Sequence, residues 1–594
     1  MSFTFLIQIP LALFLDLGEV PDFSESPSDT LQSAILQRDR SVAGYRQDTL
    51  LLEKNMGLSE LFLQSPALSL SDYGYLSGQK SISFPGLGSS HTSIYLDGFK
   101  INNLQSGQID LGLLCLGNYS DMILDYASSS VQLRSLSPSL EKKFSLKAAL
   151  GAASFSTWAP DLKVDYALSR NTSMSLYLGG IKSEGDFPYQ GLRRTNNDLS
   201  RYAAQVDFRG RALKGEWYAK FSLNSQDRGV PGSLSYPSKD RQMDNNYFAQ
   251  ASYRGFISSN YDFSFGLRAA LDELSYLSEY GDSEYKESDL QLVLDQSYRP
   301  YDWMEVSLLC NSSYGSLDSG LYASDRLIAE AEASAELSWK AFKFDLALKY
   351  AFSTDKSESL WHTTADVLSP SLGLVLSPLR NLDIKAYARR AYRTPTFNEL
   401  YYPGYSNPEL KAEDVLTSGL AFDYHFKAGE CWSFSSSLNT FYNYLKDKIV
   451  SAPVEEGSYI WLPYNIGESE CYGIGLSFKS EFRREELKAS TSLNYSYQDS
   501  AELPYYTSHS LSFRAAMEWK AWKASALWAL RDGRHNPYGD MPSWNTVDFH
   551  ISRELGTHFR LDFALLNIFD YRYEMIQDYP MQGRNFRICL LYSM

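Results

Sequence analysis

The chain has 594 residues and a formal net charge of −16, and 44% of its residues are hydrophobic. No internal run of about twenty apolar residues occurs, which argues against helical membrane spans, and the acidic balance argues against a nucleic-acid partner. The 43 Tyr, 32 Phe and 11 Trp are typical of the aromatic girdles of a membrane β-barrel. A large soluble β-sandwich array or propeller also uses aromatic residues, but the sequence has no blade-length repeat.

The N-terminal region divides into two segments. Residues 1–23 include an apolar stretch with the length of a signal-peptide core, but it has neither a basic flank nor a clear cleavage site. We interpret it as an atypical export signal, with a first strand or buried helix as the alternative. Residues 24–47 are polar, mixed in charge and without periodicity, which predicts a flexible tether.

Residues 48–143 form a compact unit with less regular alternation than the rest of the chain. The sequence "SIYLDGFKI" predicts a hairpin whose turn is Asp97-Gly98, because this pair supplies the positive φ angles of a two-residue turn. By itself, the dipeptide indicates nothing more than a hairpin.

From Phe144 to Met594 the chain predicts one strand after another. In "AFKFDLALKYAF" (341–352), apolar residues alternate with lysine, aspartate and alanine. A lysine on the lipid side would cost about 2–4 kcal/mol at the midplane, so the register is strongly fixed. Unequal polar segments separate the strands and predict short turns at one rim and long loops at the other. The length allows about twenty-two strands, a barrel wide enough to need a plug.

The chain ends on a strand with one apolar face. From Phe586 every second residue is apolar, through Ile588, Leu590 and Tyr592 to Met594. An outer-membrane barrel must close its last strand against its first, because an open edge in lipid leaves backbone groups without partners. We therefore predict that this strand closes an all-β antiparallel barrel.

Five short patches, taken in chain order, resemble TonB-dependent receptors, and most closely the cobalamin-type receptors. They are the 81–114 hairpin block with Asp97, Gly98 and the loop "NNLQSGQ"; "DRGVPGSL" (227–234); the 390–415 block with Arg393, Pro395, Glu399, Asn407 and Pro408; "PYNIGESECYGIGLSF" (463–478); and the terminal signature with Asn567, Asp570, Gly583 and Arg584. Each patch alone is weakly specific, whereas five in the family's order are strongly so.

The resemblance implies an N-terminal α+β plug inside the barrel lumen and a multi-pass barrel in the Gram-negative outer membrane. It also implies energised import of a scarce, large ligand, a cobalamin, with a ferric siderophore as the alternative. The implied partners are TonB with its inner-membrane motor, the barrel-assembly machinery and outer-membrane lipid. A passive porin or adhesin is a weaker alternative, since the plug-like block argues against it.

An enzymatic interpretation finds little support. The chain has no Walker A loop, no HExxH and no GxSxG elbow. Its five cysteines and seven histidines are dispersed without ligand spacing, so neither a disulfide framework nor a metal site is predicted. An outer-membrane barrel enzyme is therefore the weakest alternative. The acidic segment Glu279 to Asp289 has the ligand chemistry of a calcium loop, although a solvated acidic loop explains it equally well.

The chain departs from the family at two points that concern the plug. Pro85 precedes Gly86 at a position where the family usually has Arg. Residues 120–136 contain no glycine, so the resemblance does not predict the last plug strands or their wall contacts.

Candidate ligand contacts lie at the apex of the predicted plug. Aromatic and amide side chains there suit an uncharged corrinoid or a catechol equally well, and ordinary plug packing or turn formation is the alternative for each residue. The candidates are Tyr73, Tyr75, His91, Asn102, Asn103 and Gln105.

Overall fold

A computed structural model describes residues 45, 47–51, 57–357, 360–454, 461–499, 504–536 and 539–594. The predicted signal at 1–23 and the tether up to residue 44 lie outside the described residues. Within them, no helix has the length and apolar character needed to cross a membrane.

The N-terminal unit is a small α+β domain inside the barrel. Its elements are β1 (Gln47–Leu51), α1 (Leu58–Leu63), β2 (Ser69–Asp72), β3 (Lys80–Ser83), β4 (Ser93–Leu96), β5 (Phe99–Lys100), β6 (Tyr119–Asp125) and β7 (Ser130–Ser135). Five of these strands form a sheet in the order β1-β6-β7-β4-β5, and β2 pairs with β3. The segment 120–136 therefore supplies two of the three interior strands, and its Met122, Leu124 and Val131 give the sheet a buried apolar face.

The predicted hairpin turn is confirmed. Asp97 and Gly98 have φ angles of 49° and 94°, and β4 pairs with β5 directly across them. The glycine is needed because a positive φ is costly for most residues with a Cβ.

The rest of the chain forms a closed antiparallel barrel. Its strands are β8 (Phe144–Ala153), β9 (Thr157–Ser169), β10 (Thr172–Ser183), β13 (Leu199–Ala212), β14 (Gly215–Gly232), β15 (Pro237–Ser258), β16 (Tyr261–Leu277), β17 (Ser283–Tyr301), β18 (Met304–Ser319), β19 (Ala323–Trp339), β20 (Phe342–Ser357), β21 (Leu360–Leu379), β22 (Leu382–Arg393), β23 (Glu413–Ala428), β24 (Trp432–Lys446), β27 (Glu468–Arg484), β28 (Leu487–Gln498), β29 (Thr507–Trp519), β30 (Trp522–Asn536), β32 (Trp544–Leu555), β33 (Phe559–Leu566) and β36 (Asn585–Ser593). These 22 described strands match the predicted number.

Short strands and one short helix lie at one rim of this barrel. They are β11 (Pro188–Tyr189), β12 (Leu192–Arg193), α2 (Phe397–Tyr401), β25 (Ile449–Pro453), β26 (Trp461–Asn465), β31 (Gly539–Met541), β34 (Glu574–Ile576) and β35 (Tyr579–Pro580). All lie in or beside long connections, such as 184–198, 394–412 and 567–584. The opposite rim carries short turns such as 213–214 and 340–341, which confirms the predicted asymmetry.

The alternation predicted for β20 is confirmed. Phe344, Leu346 and Leu348 are exposed on the outer face, where lipid would cover them. Lys349 points into the lumen, and its Nζ lies 2.8 Å from Glu330 of β19. The inward lysine therefore has a counter-charge, while the outward face is apolar.

The last strand closes the barrel as predicted. β36 pairs with β33 on one side and with β8 on the other, from Arg587↔Ala153 to Ser593↔Lys147. Phe586, Ile588 and Leu590 are exposed on the outer face. The closed ladder thus satisfies both edges of the terminal strand.

Candidate functional site

The plug is fastened to the barrel wall by a buried ion pair at Asp97. The Nζ of Lys220 on β14 lies 2.6 Å from the Asp97 carboxylate, and the lysine side chain is 0% exposed. Gln250 on β15 donates to the same carboxylate (3.1 Å), as do the backbone amide (2.9 Å) and hydroxyl (2.8 Å) of Ser135. Asp97 therefore joins β14, β15 and the plug sheet in addition to forming its turn.

Two further charged contacts fasten the plug elsewhere on the wall. Arg228 of β14 binds Asp110 (2.8 Å) and also donates to the carbonyl of Ser77. Arg587 of β36 donates to both carboxylate oxygens of Glu60 on α1, each at 2.8 Å. Partly buried charge-assisted hydrogen bonds of this kind are stronger than neutral ones.

The segment Pro85-Gly86 lies against the wall through its backbone. The Pro85 carbonyl accepts a hydrogen bond from Asn443 (2.7 Å), and the Gly86 amide donates to Gln498 (3.1 Å). Gly86 has a φ of 70°, and a Cβ there would lie 2.7 Å from Cys471. The glycine is required by this close approach, and the carbonyl of the preceding proline accepts the Asn443 bond.

The 390–415 block forms a charge network at the long-loop rim. Arg393 donates to both carboxylates of Glu399 and Glu413, at 2.7 to 3.1 Å. Thr396 and Glu399 form the capping box of α2, and the Pro395 carbonyl accepts from Arg326 (2.8 Å). Arg393 therefore joins the start of β23 to the helix α2.

His91 enters the same network. Its Nε2 lies 2.5 Å from Glu413 of β23, where both side chains are buried. The histidine therefore links the plug to the wall at the outer rim and is not directed towards open solvent.

The helix α2 covers the plug loop that contains three of the candidate residues. The amides of Phe397 and Asn398 donate to the carbonyls of Leu104 (3.0 Å) and Gln105 (3.1 Å). The half-buried side chains of Asn102 and Asn103 bond inside their own loop: Asn102 accepts from Ile94 and donates to Thr92 and Gly107, and Asn103 accepts from Ser106. These amide side chains shape the loop beneath α2.

The dipeptide Asn407-Pro408 belongs to the same connection. The Asn407 amide donates to the carbonyl of Glu399 (2.8 Å), and its side chain donates to the carbonyl of Pro463 (3.0 Å). It therefore ties the connection 394–412 to the neighbouring loop 447–467.

The terminal signature is a closed turn before the last strand. Asn567 has a φ of 48° and binds the backbone of Tyr571 with both ends of its side-chain amide (2.8 and 2.9 Å). Asp570 accepts from the Arg584 amide (2.7 Å), and a Cβ at Gly583 would overlap the Asp570 carboxylate. One turn thus explains the spacing of the motif. This turn determines the direction in which the chain enters β36.

An aromatic group lies at the exposed end of the plug. Tyr73 is 37% exposed, and its ring meets that of Tyr579 edge-on, with centroids 5.0 Å apart. Burial and the nearby phenols of Tyr579 and Tyr505 raise the pKa of Tyr73. Tyr505 has a φ of 68°, which is a strained conformation for an aromatic residue. The rings of Tyr73 and Tyr579 therefore meet, one from the plug and one from the loop 567–584, and the Tyr505 phenol is near enough to raise the pKa of Tyr73.

Tyr75 lies beside this group but is buried. It packs with Phe187 and Tyr189 of the loop 184–198, and its hydroxyl lies 3.3 Å from that of Thr157. The side chain therefore joins the plug apex to the wall and to an outer loop.

The acidic segment is only in part a loop, since residues from Ser283 onward belong to β17. Its Lys286 pairs with Glu273 of β16 at 3.2 Å. Among the residues that the structure describes, no group of three or more His, Cys, Asp or Glu side chains is arranged to hold a metal ion.

A closed barrel with a small sheet-containing domain in its lumen defines a plugged outer-membrane receptor. Residues 144–568 match the family described as "TonB dependent receptor-like, beta-barrel". The match covers more than half of the chain, so the chain belongs to the TonB-dependent receptor family. Such a barrel crosses the outer membrane of Gram-negative bacteria many times, and the family and fold are those of receptors and transporters.

Individual relatives differ in their described cargo. The chain is 21% identical over 434 residues to "Vitamin B12 transporter BtuB" of Vibrio vulnificus (strain YJ016), covering 69% of this chain and 67% of that protein. The FrpB iron transporter from Neisseria meningitidis (F3-3 variant) superposes with a TM-score of 0.77 at 12% identity, covering 94% of this chain and 100% of the other. The ferric citrate transporter FecA in its unliganded form gives a TM-score of 0.76 at 12% identity, covering 93% and 97%.

Proposed function

We propose that this protein is a TonB-energised importer that captures a large, scarce ligand outside the cell and releases it on the inner side of the outer membrane. The observation that supports this proposal is that ion pairs of Asp97 and Asp110 hold the plug to β14, and an ion pair of Glu60 holds it to β36. Opening a path past such contacts needs work, and a tightly held ligand leaves slowly. Since the sequence has no nucleotide-binding motif, TonB and its inner-membrane motor supply that work.

The proposed ligand is a cobalamin. This choice is supported by the sequence similarity to a vitamin B12 transporter, whereas the iron transporters are similar in fold at about half that identity. An apex with three phenols offers stacking surfaces and hydrogen bonds without charge, which suits a large ligand bearing many amides. A ferric siderophore is the alternative, favoured by the iron transporters among the structural neighbours.

The proposed binding surface begins at Tyr73, Tyr505 and Tyr579, because these rings converge at the open end of the lumen. The remaining candidate residues can contact a ligand only after a loop moves. Asn102, Asn103 and Gln105 lie beneath α2, His91 is bound to Glu413, and Tyr75 is packed against Phe187.

The domain roles follow from this proposal. Residues 48–143 act as the plug and 144–594 as the barrel. TonB pulls on the predicted periplasmic tether, 24–47, within which Tyr45 already contacts the wall and Gln47 begins β1. Proteins of the barrel-assembly machinery and outer-membrane lipid are the remaining partners.

A titration of the purified protein tests the ligand. We expect cyanocobalamin and cobinamide to bind in preference to ferric siderophores, by isothermal calorimetry in detergent. Tyr579→Ala should weaken the affinity about 10-fold, the usual effect of removing one aromatic contact. Tyr280→Ala is the matched control, because this tyrosine is 98% exposed at the tip of the loop between β16 and β17. Tight siderophore binding without corrinoid affinity would refute cobalamin as the ligand, but it would leave the proposed role as a transporter unchanged.

A further inference from the structure

Tyr45 is inserted into the barrel wall. Its side chain is 3% exposed, and its ring centroid lies 4.3 Å from that of Tyr387 on β22. The hydroxyl lies 2.6 Å from the carbonyl of Thr440 on β24 and 3.3 Å from that of Leu420 on β23. A Cβ at Gly419 would lie 2.7 Å from the hydroxyl oxygen, so the absence of a side chain there makes room for it. We call this site the Tyr45 socket.

The socket holds the chain just before the plug sheet begins. Tyr45 precedes β1 by two positions, and β1 is the edge strand of the sheet, paired with β6 through five residue pairs. A pull on the residues before Tyr45 must therefore break the contacts of Tyr45 with the wall first. Only after Tyr45 leaves the wall can β1 be peeled from β6.

A small cavity adjoins the socket between plug and wall. Its volume is about 20 Å³, about the room needed by one water molecule. Phe84, Pro85, Tyr126 and Ser129 line it from the plug, and Tyr387, Asn439, Phe441, Asn443 and Ser496 line it from β22, β24 and β28. The wall side thus presents amide and hydroxyl groups that can face water or a polar ligand.

The Tyr45 hydroxyl bonds and the bond from Asn443 to Pro85 in this sector are neutral, and the Lys385 ammonium of β22 reaches the Tyr45 carbonyl only at 3.5 Å. The β14 and β36 sectors carry ion pairs at 2.6 to 2.8 Å. Above this sector, at the outer rim, His91 contacts the Glu413 carboxylate. Neutral hydrogen bonds are roughly half as strong as charge-assisted ones, so this sector yields at lower force.

We propose that Tyr45 is the clasp of the resting plug, and that the ligand passes between β1–β6 of the plug and the wall strands from β22 to β28 once Tyr45 is withdrawn. The contacts of Tyr45 alone support its role as a clasp, whereas the role of that clasp in transport rests on the proposed function. Withdrawal joins the emptied socket to the cavity and exposes Asn439, Asn443 and Ser496. The ion pairs of Asp97 and Glu60 meanwhile keep the remainder of the plug attached.

Cysteine labelling of the purified protein tests the clasp without a ligand. Ser496→Cys and Ser175→Cys are each made in a chain whose five native cysteines are replaced by Ser. Both serines are buried and face the lumen, but Ser175 lies on β10, far from the socket. We expect Tyr45→Ala to accelerate maleimide labelling of position 496 about 10-fold and to leave 175 unchanged. No acceleration, or equal acceleration at both positions, would overturn the clasp.

The same two cysteine variants show, in cells, on which side of the lumen the ligand passes. During TonB-dependent uptake of cyanocobalamin, position 496 should become labelled and 175 should stay protected. Labelling of 175 without 496 would overturn the path and leave the importer intact. If purified Tyr45→Ala behaves as expected while cells show no TonB-dependent uptake, the clasp stands and the proposed function fails. Tyr119→Ala controls for general loosening of the plug, since Tyr119 lies in the plug core but does not line the cavity, and it should accelerate labelling less than Tyr45→Ala.

Discussion

Replacing Asp97 by Asn tests how the plug is held. Asparagine tolerates the positive φ of 49° at this position, so the hairpin turn itself is preserved. The substitution removes the negative charge that lies 2.6 Å from Lys220, whose side chain is fully buried. The change therefore isolates the wall contact from the turn.

The expected loss is about 3 kcal/mol in the free energy of plug docking. Removing one partner of a buried pair costs about 3–5 kcal/mol. The lower end applies because Asp207 remains 3.9 Å from the Lys220 nitrogen and partly compensates its charge. A loss of about 3 kcal/mol corresponds to an increase of about 100-fold in the population of the undocked hairpin.

Hydrogen exchange of the purified protein, followed by mass spectrometry, measures this population. Peptides that span β4 and β5 should exchange about 100-fold faster in Asp97→Asn, while barrel peptides keep their rates. Asp97→Asn combined with Lys220→Met should recover part of the protection, because no unpaired lysine remains, while Asp207 loses the cation 3.9 Å away. Asp121→Asn is the control, since its partner Arg134 lies 3.6 Å away within the plug. An Asp97→Asn variant with rates like those of the control would refute the estimate.

Three other outcomes follow from the closed barrel and its loops. Gly583→Ala should reduce the fraction of correctly closed barrel, because its Cβ overlaps Asp570, and gel mobility of unboiled protein measures that fraction. The wild-type protein itself should migrate faster unboiled than boiled, and equal mobility would contradict a closed barrel. Burial, and then the Glu574 carboxylate, raise the pKa of Tyr189 to about 12. The contact of Tyr189 with Glu574 should therefore be fully present below about pH 10 and lost towards pH 12, which absorbance at 295 nm detects against Tyr189→Phe.

Local patterns were sufficient to predict the strands and their orientation. The alternation in β20 fixed which face meets lipid, because a wrong register would place Lys343 and Lys349 in hydrocarbon. The turn at Asp97-Gly98 and the closing strand were likewise predicted from adjacent residues. In each case the decisive physical constraint acts over a few positions of the chain.

The plug–wall contacts could not be predicted in this way. Asp97 meets Lys220 across 123 positions, and that pairing depends on the depth of the plug and on the barrel register together. An inward lysine inside an otherwise apolar strand such as "WYAKFSL" is the available signal, but it does not identify the partner. Similarly, Tyr45 lies in a segment interpreted as tether, and only the position of Gly419 on the wall explains its burial.

Uptake of radiolabelled cyanocobalamin tests the central claim most directly. A cell that expresses this protein as its sole cobalamin receptor should accumulate the label when TonB is present and lose accumulation when TonB is deleted. Cell-surface binding should be the same in both strains, because capture precedes the energised step. Deleting residues 24–44, which spares Tyr45 and β1, should reproduce the TonB-deficient result with surface binding nearly unchanged. Accumulation that is equal with and without TonB, or absent in both strains despite correct insertion, would contradict the account.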